Sequence, residues 1–479
     1  MESIWKTDRH ELGPPAMMRH AQRTFAMKPY RIHLAFFALL VAIVPALSSQ
    51  EKTVTLKVEI GPNVRVSDRG ASHVEPYIAA HPQDPRNLII VASHNVEGKG
   101  ILAEAFFTTD AGKTWGASRL PQLQEALLAN KLKTAIDDWV TYAPDGVAYI
   151  STLADMEVQD RRPDQILVYR SEDQGKTWQG PTVIPPQGSF DRPLMLATGT
   201  KNNKRIYLVA SDRGGFAVLR SDDGGLSFKP TAFIEPDNLA HQPKNPLLLP
   251  DGSLLVPYND YPYISVKELE EMRRDPRQRR LNSSRIYVVR SRDGGLTFDT
   301  PQFVADIPRM IPDGLEMAVD LSNSRFRGRI YAAWNGERGD SRNMTIAYSA
   351  DAGKRWLKSA FFRADNVGPA FFPTLAVSPD GAVGVSWLQH EKGEEKSHCY
   401  RIYFAASIDG GETFTPPRVV SETVSCPSSE SNRETIDRWS RGGDYMGLAA
   451  AADGSFHPVW IDARDGAFQV YSARIQLGK

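Results

Sequence analysis

Short apolar segments with alternating polar residues recur along most of the chain, and turn residues separate them. Residues 371–420 show the pattern: apolar segments at 371–378, 382–389, 401–407 and 412–420 are joined by two Asp-Gly turns and one loop. Alternation with enrichment in β-branched and aromatic residues predicts strands. Four such strands form one unit, and similar units follow one another, so the sequence predicts an all-β protein.

An eight-residue pattern, Ser/Thr-x-Asp-x-Gly-x-Thr/Ser-Trp/Phe, ends the third strand of most units. Its six copies begin at Thr108, Ser171, Ser221, Ser291, Ser349 and Ser407, and Arg355 is the only break at the seventh place. The Asp can accept hydrogen bonds from backbone N–H groups ahead of it. The Gly suits a left-handed backbone, and the aromatic residue anchors the turn. These residues are therefore predicted to hold hairpins, and their return marks a repeat architecture.

Seven units, rather than six, follow from this register. They begin near Glu75, Asp138, Arg192, Pro243, Asp313, Phe372 and Tyr445. The seventh has three strands and then the chain stops, whereas residues 53–60 form a strand that stands alone near the other end. Pairing that strand beside residues 468–475 would close a ring and leave no exposed edge. We therefore predict a seven-bladed β-propeller of four-stranded blades, with a six-bladed ring as the alternative.

The first fifty residues differ from the rest. Residues 34–47 form an apolar run after a short basic segment, and Met27 is a candidate start. The run has signal-peptide length and is short for a bilayer span. We expect residues 1–50 to be an extension with a signal peptide and residues 51–479 to be one propeller domain. Either a cleaved leader or an uncleaved anchor implies export, so the protein is predicted to be secreted or periplasmic.

Composition narrows the partners. The chain of 479 residues balances 57 Lys and Arg against 57 Asp and Glu, which gives no general case for nucleic acid or an anionic membrane. Its two cysteines, Cys399 and Cys426, fall in loops on one face and are predicted to form a disulfide. No Cys/His spacing resembles a zinc site, and no phosphate-binding loop is present. We expect a monomer that needs no metal or cofactor.

The six turns resemble the Asp-boxes, or BNR repeats, of the sialidase superfamily, and the resemblance covers the whole chain after the leader. It implies a propeller that acts on or binds a glycan. Such enzymes hold a substrate carboxylate with arginines and use a Tyr/Glu pair as nucleophile with an Asp as acid/base. The family's Arg-Ile-Pro motif is absent, because the first inner strand reads Glu75-Pro76-Tyr77.

Site residues follow partly from that resemblance. Residues 341–346 resemble a stretch that carries an active-site arginine, here Arg342. Tyr445 lies where the nucleophile is expected, Glu316 or Asp313 could be its partner, and Asp138 could be the acid/base. The remaining candidate substrate ligands are Arg192, Arg338, Arg464, Asp260, His390 and Asp462.

Strand order gives a second, independent argument for the site. The eight-residue turns lie on one face, so first-strand starts and second-strand ends must meet on the opposite face, near the central channel. The first-strand starts carry Glu75, Asp137, Asp138, Asp191, Arg192, His241, Lys244, Asp313, Glu316, Asp444 and Tyr445. The second-strand ends include His94, Asn259, Asp260, Asn335, Arg338, His390, Asp462 and Arg464. A charged pocket is expected there, although Asp462 and Arg464 could instead pair with each other.

Three functions remain open at this stage. The first is a secreted glycoside hydrolase of exo-sialidase type that acts on an acidic glycan. The second is a non-catalytic propeller that binds a glycan or protein on the same face, which the missing Arg-Ile-Pro motif favours. The third is a polysaccharide lyase, in which a pair such as His390 and Tyr445 would move the proton.

Overall fold

Seven antiparallel sheets follow one another in the computed structural model, and each, apart from the last, is built from consecutive strands. The residues described are 56–68, 71–96, 100–123, 125, 134–155, 165–185, 188, 190–199, 203–237, 239–262, 284–307, 314–335, 343–363, 367–392, 399–428, 431 and 441–478. They all belong to one compact unit, Val54–Lys479. The predicted signal peptide lies outside the described residues.

The strands run in chain order, apart from the first, β1 (Lys57–Arg65), which belongs to the last blade. Blade 1 contains β2 (His73–Ala80), β3 (Leu88–Val96), β4 (Gly100–Thr108) and β5 (Gly116–Ser118). Blade 2 contains β6 (Thr134–Tyr142), β7 (Ala148–Asp155), β8 (Gln165–Ser171) and β9 (Gln179–Ile184). Blade 3 contains β10 (Asp191–Thr198), β11 (Arg205–Asp212), β12 (Gly215–Ser221) and β13 (Lys229–Ile234).

The other blades repeat this order. Blade 4 contains β14 (Leu239–Pro243), β15 (Leu247–Leu248), β16 (Leu254–Pro262), β17 (Ser284–Ser291) and β18 (Gln302–Ile307). Blade 5 contains β19 (Leu315–Val319), β20 (Ile330–Asn335), β21 (Asn343–Ser349) and β22 (Leu357–Arg363). Blade 6 contains β23 (Val367–Val377), β24 (Val383–Glu391), β25 (Tyr400–Ser407) and β26 (Arg418–Val419). Blade 7 contains β27 (Gly447–Ala450), β28 (Phe456–Asp462), β29 (Gln469–Gly478) and β1.

The innermost strands close a ring. Each inner strand contacts the next one around the ring, in the order β2, β6, β10, β15, β19, β23 and β27. The last of these, β27, contacts β2 again. The predicted seven-bladed β-propeller is thus confirmed, and the six-bladed alternative is wrong. Among the described residues, no helix is long and apolar enough to span a bilayer.

The N-terminal strand closes the last blade, as predicted. β1 pairs antiparallel with β29 from Lys57 opposite Gly478 to Arg65 opposite Tyr471. The strand extends beyond the predicted end at residue 60, after a bulge between Ile60 and Asn63. Asn63 also donates from its amide Nδ2 to the Val420 carbonyl of blade 6 at 2.9 Å. The closing strand therefore joins the two ends of the chain and also contacts the preceding blade.

The eight-residue turns have the predicted local structure. In the first, the Asp110 carboxylate accepts from the Thr114 N–H at 3.0 Å and from the Thr114 hydroxyl at 2.6 Å. Gly112 has a φ of 83°, which a residue with a Cβ adopts only at a cost. In the fifth, the Arg355 guanidinium donates to Asp351 at 2.7 Å in place of the hydroxyl. The exception to the pattern therefore preserves the interaction.

The structure also contains the predicted disulfide, between Cys399 and Cys426. Cys399 precedes β25, and a backbone bridge joins the neighbouring Tyr400 to Ser425. The bond therefore reinforces an existing contact between two loops beside blade 6.

Candidate active site

A pocket lies at the centre of the ring, on the face predicted from the strand order. Every blade contributes to it, with residues that lie in its inner strand or directly beside that strand. Its lining consists of Tyr77, Trp139, Arg192, Leu194, Lys244, Asn245, Leu315, Glu316, Phe372, Pro373, Tyr445 and Met446. The pocket is thus shared among blades, and no single blade could form it.

A repeated backbone distortion directs side chains toward this centre. Glu75, Asp137, Arg192 and Phe372 occupy matching positions in the inner strands of four blades and have φ values of 57°, 56°, 53° and 50°. Each lies at or beside a shift in strand register. A bulge of this kind re-aims side chains, and a left-handed residue other than Gly costs about 1–3 kcal/mol. Such strain is typical of functional sites.

Two cations occupy one side of the pocket. The Arg192 guanidinium carbon lies 5.2 Å from the centre of the Tyr445 ring. Lys244 is almost fully buried, and its Nζ donates to Gln242 Oε1 at 3.4 Å. Burial, followed by the charge of Arg192, holds the pKa of Lys244 well below its usual value. An anionic ligand would relieve this repulsion, so the pair suits a carboxylate.

Two acids, Glu316 and the buried Asp138, have pKa values near neutrality. Burial raises the pKa of Glu316 to about 8, although Lys244 and Arg192 oppose the shift. Burial likewise raises the pKa of Asp138 to about 7, against hydrogen bonds from Thr152 and Ser93. The Ser93 hydroxyl donates to Asp138 Oδ2 at 2.8 Å. An acid that titrates near pH 7 can donate a proton and later accept one.

Tyr445 lies among carboxylates. Burial raises its pKa well above the usual value, and the charges of Glu75, Asp137 and Asp138 act in the same direction. Its hydroxyl is buried and has no hydrogen-bond partner among the described residues. Glu75 Oε1 accepts from the Asp444 N–H at 3.0 Å, whereas its buried Oε2 also lacks a partner in the part described. The phenol and this carboxylate oxygen are therefore both available for chemistry.

The acids around Tyr445 influence one another. Burial raises the pKa of Glu75 well above its usual value, and nearby Asp137 and Asp444 raise it further. The pKa of Asp137 is raised in the same way by burial and by Asp191, with which it shares a side-chain hydrogen bond. Such a bond requires a proton on one of the two carboxyl groups. Burial and mutual repulsion therefore favour the protonated forms of Glu75 and Asp137, although the charge of nearby Arg192 opposes both shifts.

An aromatic pair forms the floor between blades 1 and 2. The rings of Tyr77 and Trp139 stack with centres 3.5 Å apart and planes 23° from parallel. The Trp139 indole N–H donates to the Met195 carbonyl at 3.0 Å, which fixes the ring. A rigid aromatic surface beside charged groups suits a ligand with one apolar and one polar face.

The structure brings together only some of the predicted site residues. Arg192, Glu316 and Tyr445 line the pocket, and Asp138 acts on Tyr445 from beside it. Glu316 lies with Lys244 and Arg192, whereas the strongest charges on Tyr445 come from other carboxylates. Asp313, Arg338 and Arg342 lie outside the described residues.

The other candidates form separate interactions. Arg464 Nη2 donates to Asp462 at 2.6 Å and to Asn63 at 3.0 Å, so that pair fastens the closing blade, the other possibility raised from the sequence. Asp260 forms an ion pair with Arg285 at 2.6 Å. None of these residues is part of the pocket lining.

His390 also lies away from the pocket lining. Its Nε2 accepts from Arg441 Nε at 2.9 Å, and its ring lies 5.0 Å from that of Phe371. The structure therefore does not pair His390 with Tyr445, as the lyase hypothesis required.

The pocket also contains residues that were not among the sequence-based site candidates. Tyr77, Trp139 and Phe372 are aromatic, whereas the strand-end argument points to charged side chains. Lys244 lies at a predicted strand start, but the sequence assigns it no role. All four residues lie within two positions of a predicted strand start. This shared position is the sequence signal that could have identified them as pocket residues.

Comparison with known proteins leaves the function open. No family model matches the chain, and no curated protein matches it. Among solved structures it is similar to a protein of unknown function from Dyadobacter fermentans, with 14% identity and a TM-score of 0.47 over 88% of this chain and 99% of that chain. It is also similar to the phage phi92 endosialidase, with 12% identity and a TM-score of 0.47 over 88% and 69%. An α-L-arabinofuranosidase from Fusarium graminearum has 13% identity and a TM-score of 0.45 over 70% and 94%. Such distant similarities assign no activity, which must be argued from the pocket.

Proposed function

We propose that the protein is a glycoside hydrolase that binds one acidic sugar residue in the axial pocket. The observation that carries the proposal is the convergence of a Tyr with a buried hydroxyl, two cations and several protonatable carboxyl groups from different blades. Arg192 and Lys244 would hold its carboxylate, and the stacked Tyr77 and Trp139 would support its ring.

The reaction would use Tyr445 as nucleophile. A phenol with a raised pKa needs a base, and Glu75 in its ionised form would take the proton through Oε2 as the phenol attacks the anomeric carbon. Asp138, with a pKa of about 7, would protonate the departing glycosidic oxygen. It would then deprotonate the water that attacks the anomeric carbon and breaks the glycosyl–Tyr bond, while Glu75 returns its proton to the departing phenolate. This sequence retains the configuration of the sugar.

Release of a fluorophore from a panel of glycosides tests the proposal. The panel contains a sialoside, uronides and an α-L-arabinofuranoside, so both acidic and neutral sugars are represented. Tyr445→Phe should lower kcat by at least about 10³-fold, and Arg192→Met should raise KM for acidic substrates only. Tyr403→Phe, a change of the same type on β25, is the matched control. Turnover that survives in Tyr445→Phe would refute the mechanism.

A non-catalytic propeller is the second candidate. It is favoured by the small number of arginines in the pocket. Arg464 donates to Asp462 instead, and Arg192 is the only arginine of the pocket lining among the described residues. In that case the acidic sugars would bind without turnover. Arg192→Met would then weaken binding, whereas Tyr445→Phe would change neither binding nor any rate.

We also propose that the protein works outside the cytoplasm. The support is the Cys399–Cys426 disulfide, since such bonds persist in oxidising compartments, together with the apolar run at residues 34–47. Cell fractionation with thiol labelling tests this. Protein found only in the cytoplasm with two reactive thiols would contradict it.

A further inference from the structure

Three side chains of blade 1 meet outside the pocket just described. His73 begins β2 and is directly paired with His94 on β3. Glu104 on β4 is paired with Ala92, two residues from His94, so it lies on the same face of the sheet. Glu104 Oε2 lies 2.9 Å from His73 Nε2 and 2.9 Å from His94 Nδ1. The two ring nitrogens are themselves 3.3 Å apart.

The protonation of His73 leaves a lone pair at the centre of this arrangement. His73 Nδ1 lies 3.2 Å from the Ala71 carbonyl, which can only accept, so Nδ1 must carry a proton. In a neutral imidazole Nε2 then has a lone pair and no hydrogen. That lone pair faces a carboxylate oxygen and a second ring nitrogen. Two ring nitrogens and a carboxylate oxygen, each able to offer a lone pair, thus converge on one point, which is the arrangement that binds a cation.

The separations fit a metal ion. Three atoms that are 2.9, 2.9 and 3.3 Å apart can all lie about 2.1 Å from one point, the usual bond length from Zn²⁺ to His nitrogen or carboxylate oxygen. The contact of His73 Nδ1 with a backbone carbonyl is the outer hydrogen bond that normally orients a ligating histidine. No side chain would have to move far to bind the ion.

The cluster is fixed on one side and open on the other. The His73 side chain is 2% exposed, whereas those of His94 and Glu104 are 17% and 25% exposed. An ion could enter from solvent and keep positions for water or a ligand. Imidazole with one carboxylate favours a divalent first-row transition metal over Ca²⁺ or Mg²⁺, which prefer oxygen ligands.

We infer that His73, His94 and Glu104 form a binding site for one divalent transition-metal ion, with Zn²⁺ as its probe. The site departs from the sequence-based expectation of no metal. That expectation relied on ligand spacing along the chain, whereas these ligands come from three strands and are brought together only by sheet pairing. The site does not depend on the hydrolase proposal.

Titration calorimetry of the untagged, chelator-treated protein with Zn²⁺ tests the inference. We expect one ion per chain, and a visible absorption band when Co²⁺ replaces Zn²⁺. His94→Ala and Glu104→Gln should each weaken binding by at least about tenfold. His81→Asn, in the same blade beyond the other end of β2, should bind as the wild type does.

Thermal melting keeps the test independent of folding defects. The metal-free variants should melt close to the metal-free wild type, and only the wild type and His81→Asn should melt at higher temperature with Zn²⁺. Absence of Zn²⁺ binding by the wild type would overturn the inference. Equal affinity in His94→Ala and Glu104→Gln would also overturn it, as would Ca²⁺ binding that competes with Zn²⁺.

Discussion

Replacement of Glu316 by Gln should stabilise the protein at alkaline pH and leave it nearly unchanged in acid. Burial raises the pKa of Glu316 to about 8, against an ordinary value of 4.5, and the nearby cations Lys244 and Arg192 only partly oppose this. The folded state therefore disfavours the charged carboxylate. Gln fills the same space without a charge, so it removes the pH-dependent cost of burial.

The sign and size follow from proton linkage. Below about pH 4.5 the carboxyl is protonated in both states and costs nothing. Between pH 4.5 and about 8 it ionises first in the unfolded chain, so wild-type stability falls until the folded carboxyl also ionises. A shift of this size corresponds to roughly 5 kcal/mol at about 1.4 kcal/mol per tenfold change in proton affinity. Because Glu316 keeps part of its surface exposed, we expect about half of that.

Denaturant unfolding followed by Trp fluorescence at pH 5, 7 and 9 measures the effect. The difference in unfolding free energy between Glu316→Gln and wild type should grow to about 2–3 kcal/mol at pH 9. Glu235→Gln, at an exposed glutamate, should show no such growth. If the difference between Glu316→Gln and wild type is the same at all three pH values, the assigned environment of Glu316 is wrong.

Three further changes probe other parts of the molecule. Replacing Cys399 and Cys426 by Ser should lower the free energy of unfolding by about 3.5 kcal/mol, because the disulfide closes a loop of 27 residues in the unfolded chain. An unchanged denaturation midpoint would contradict this. Val58→Asp places a charge in the closing strand, where Val58 is 5% exposed, and should cost about 3 kcal/mol or more; Glu59→Ala, on the exposed side, should cost little. If Asp138 is the acid, the wild-type rate should fall above about pH 7, and Asp138→Asn should lower kcat by about 10²–10⁴-fold at every pH; a variant that keeps the wild-type profile would exclude that role.

The working face of the ring was predictable, and so was part of the site. Strand starts and ends could be read from the alternating pattern, and these positions include Arg192, Lys244, Glu316 and Tyr445, which line the pocket. Asp260 occupies an equivalent position, yet it is held by Arg285. Position along a strand therefore selected the face, whereas it could not tell a pocket residue from a structural ion pair.

The sequence by itself determined the repeat, the strand register and the closure by the N-terminal strand. These depend on local interactions: an Asp that accepts from its own turn, a Gly with a positive φ, and alternation along each strand. Only the tertiary structure decided which side chains meet on the axis. Tyr445 faces Glu75, and Arg192 faces Lys244, across contacts between different blades. Their pKa values follow from burial and from charges distant in the chain, which no local pattern encodes.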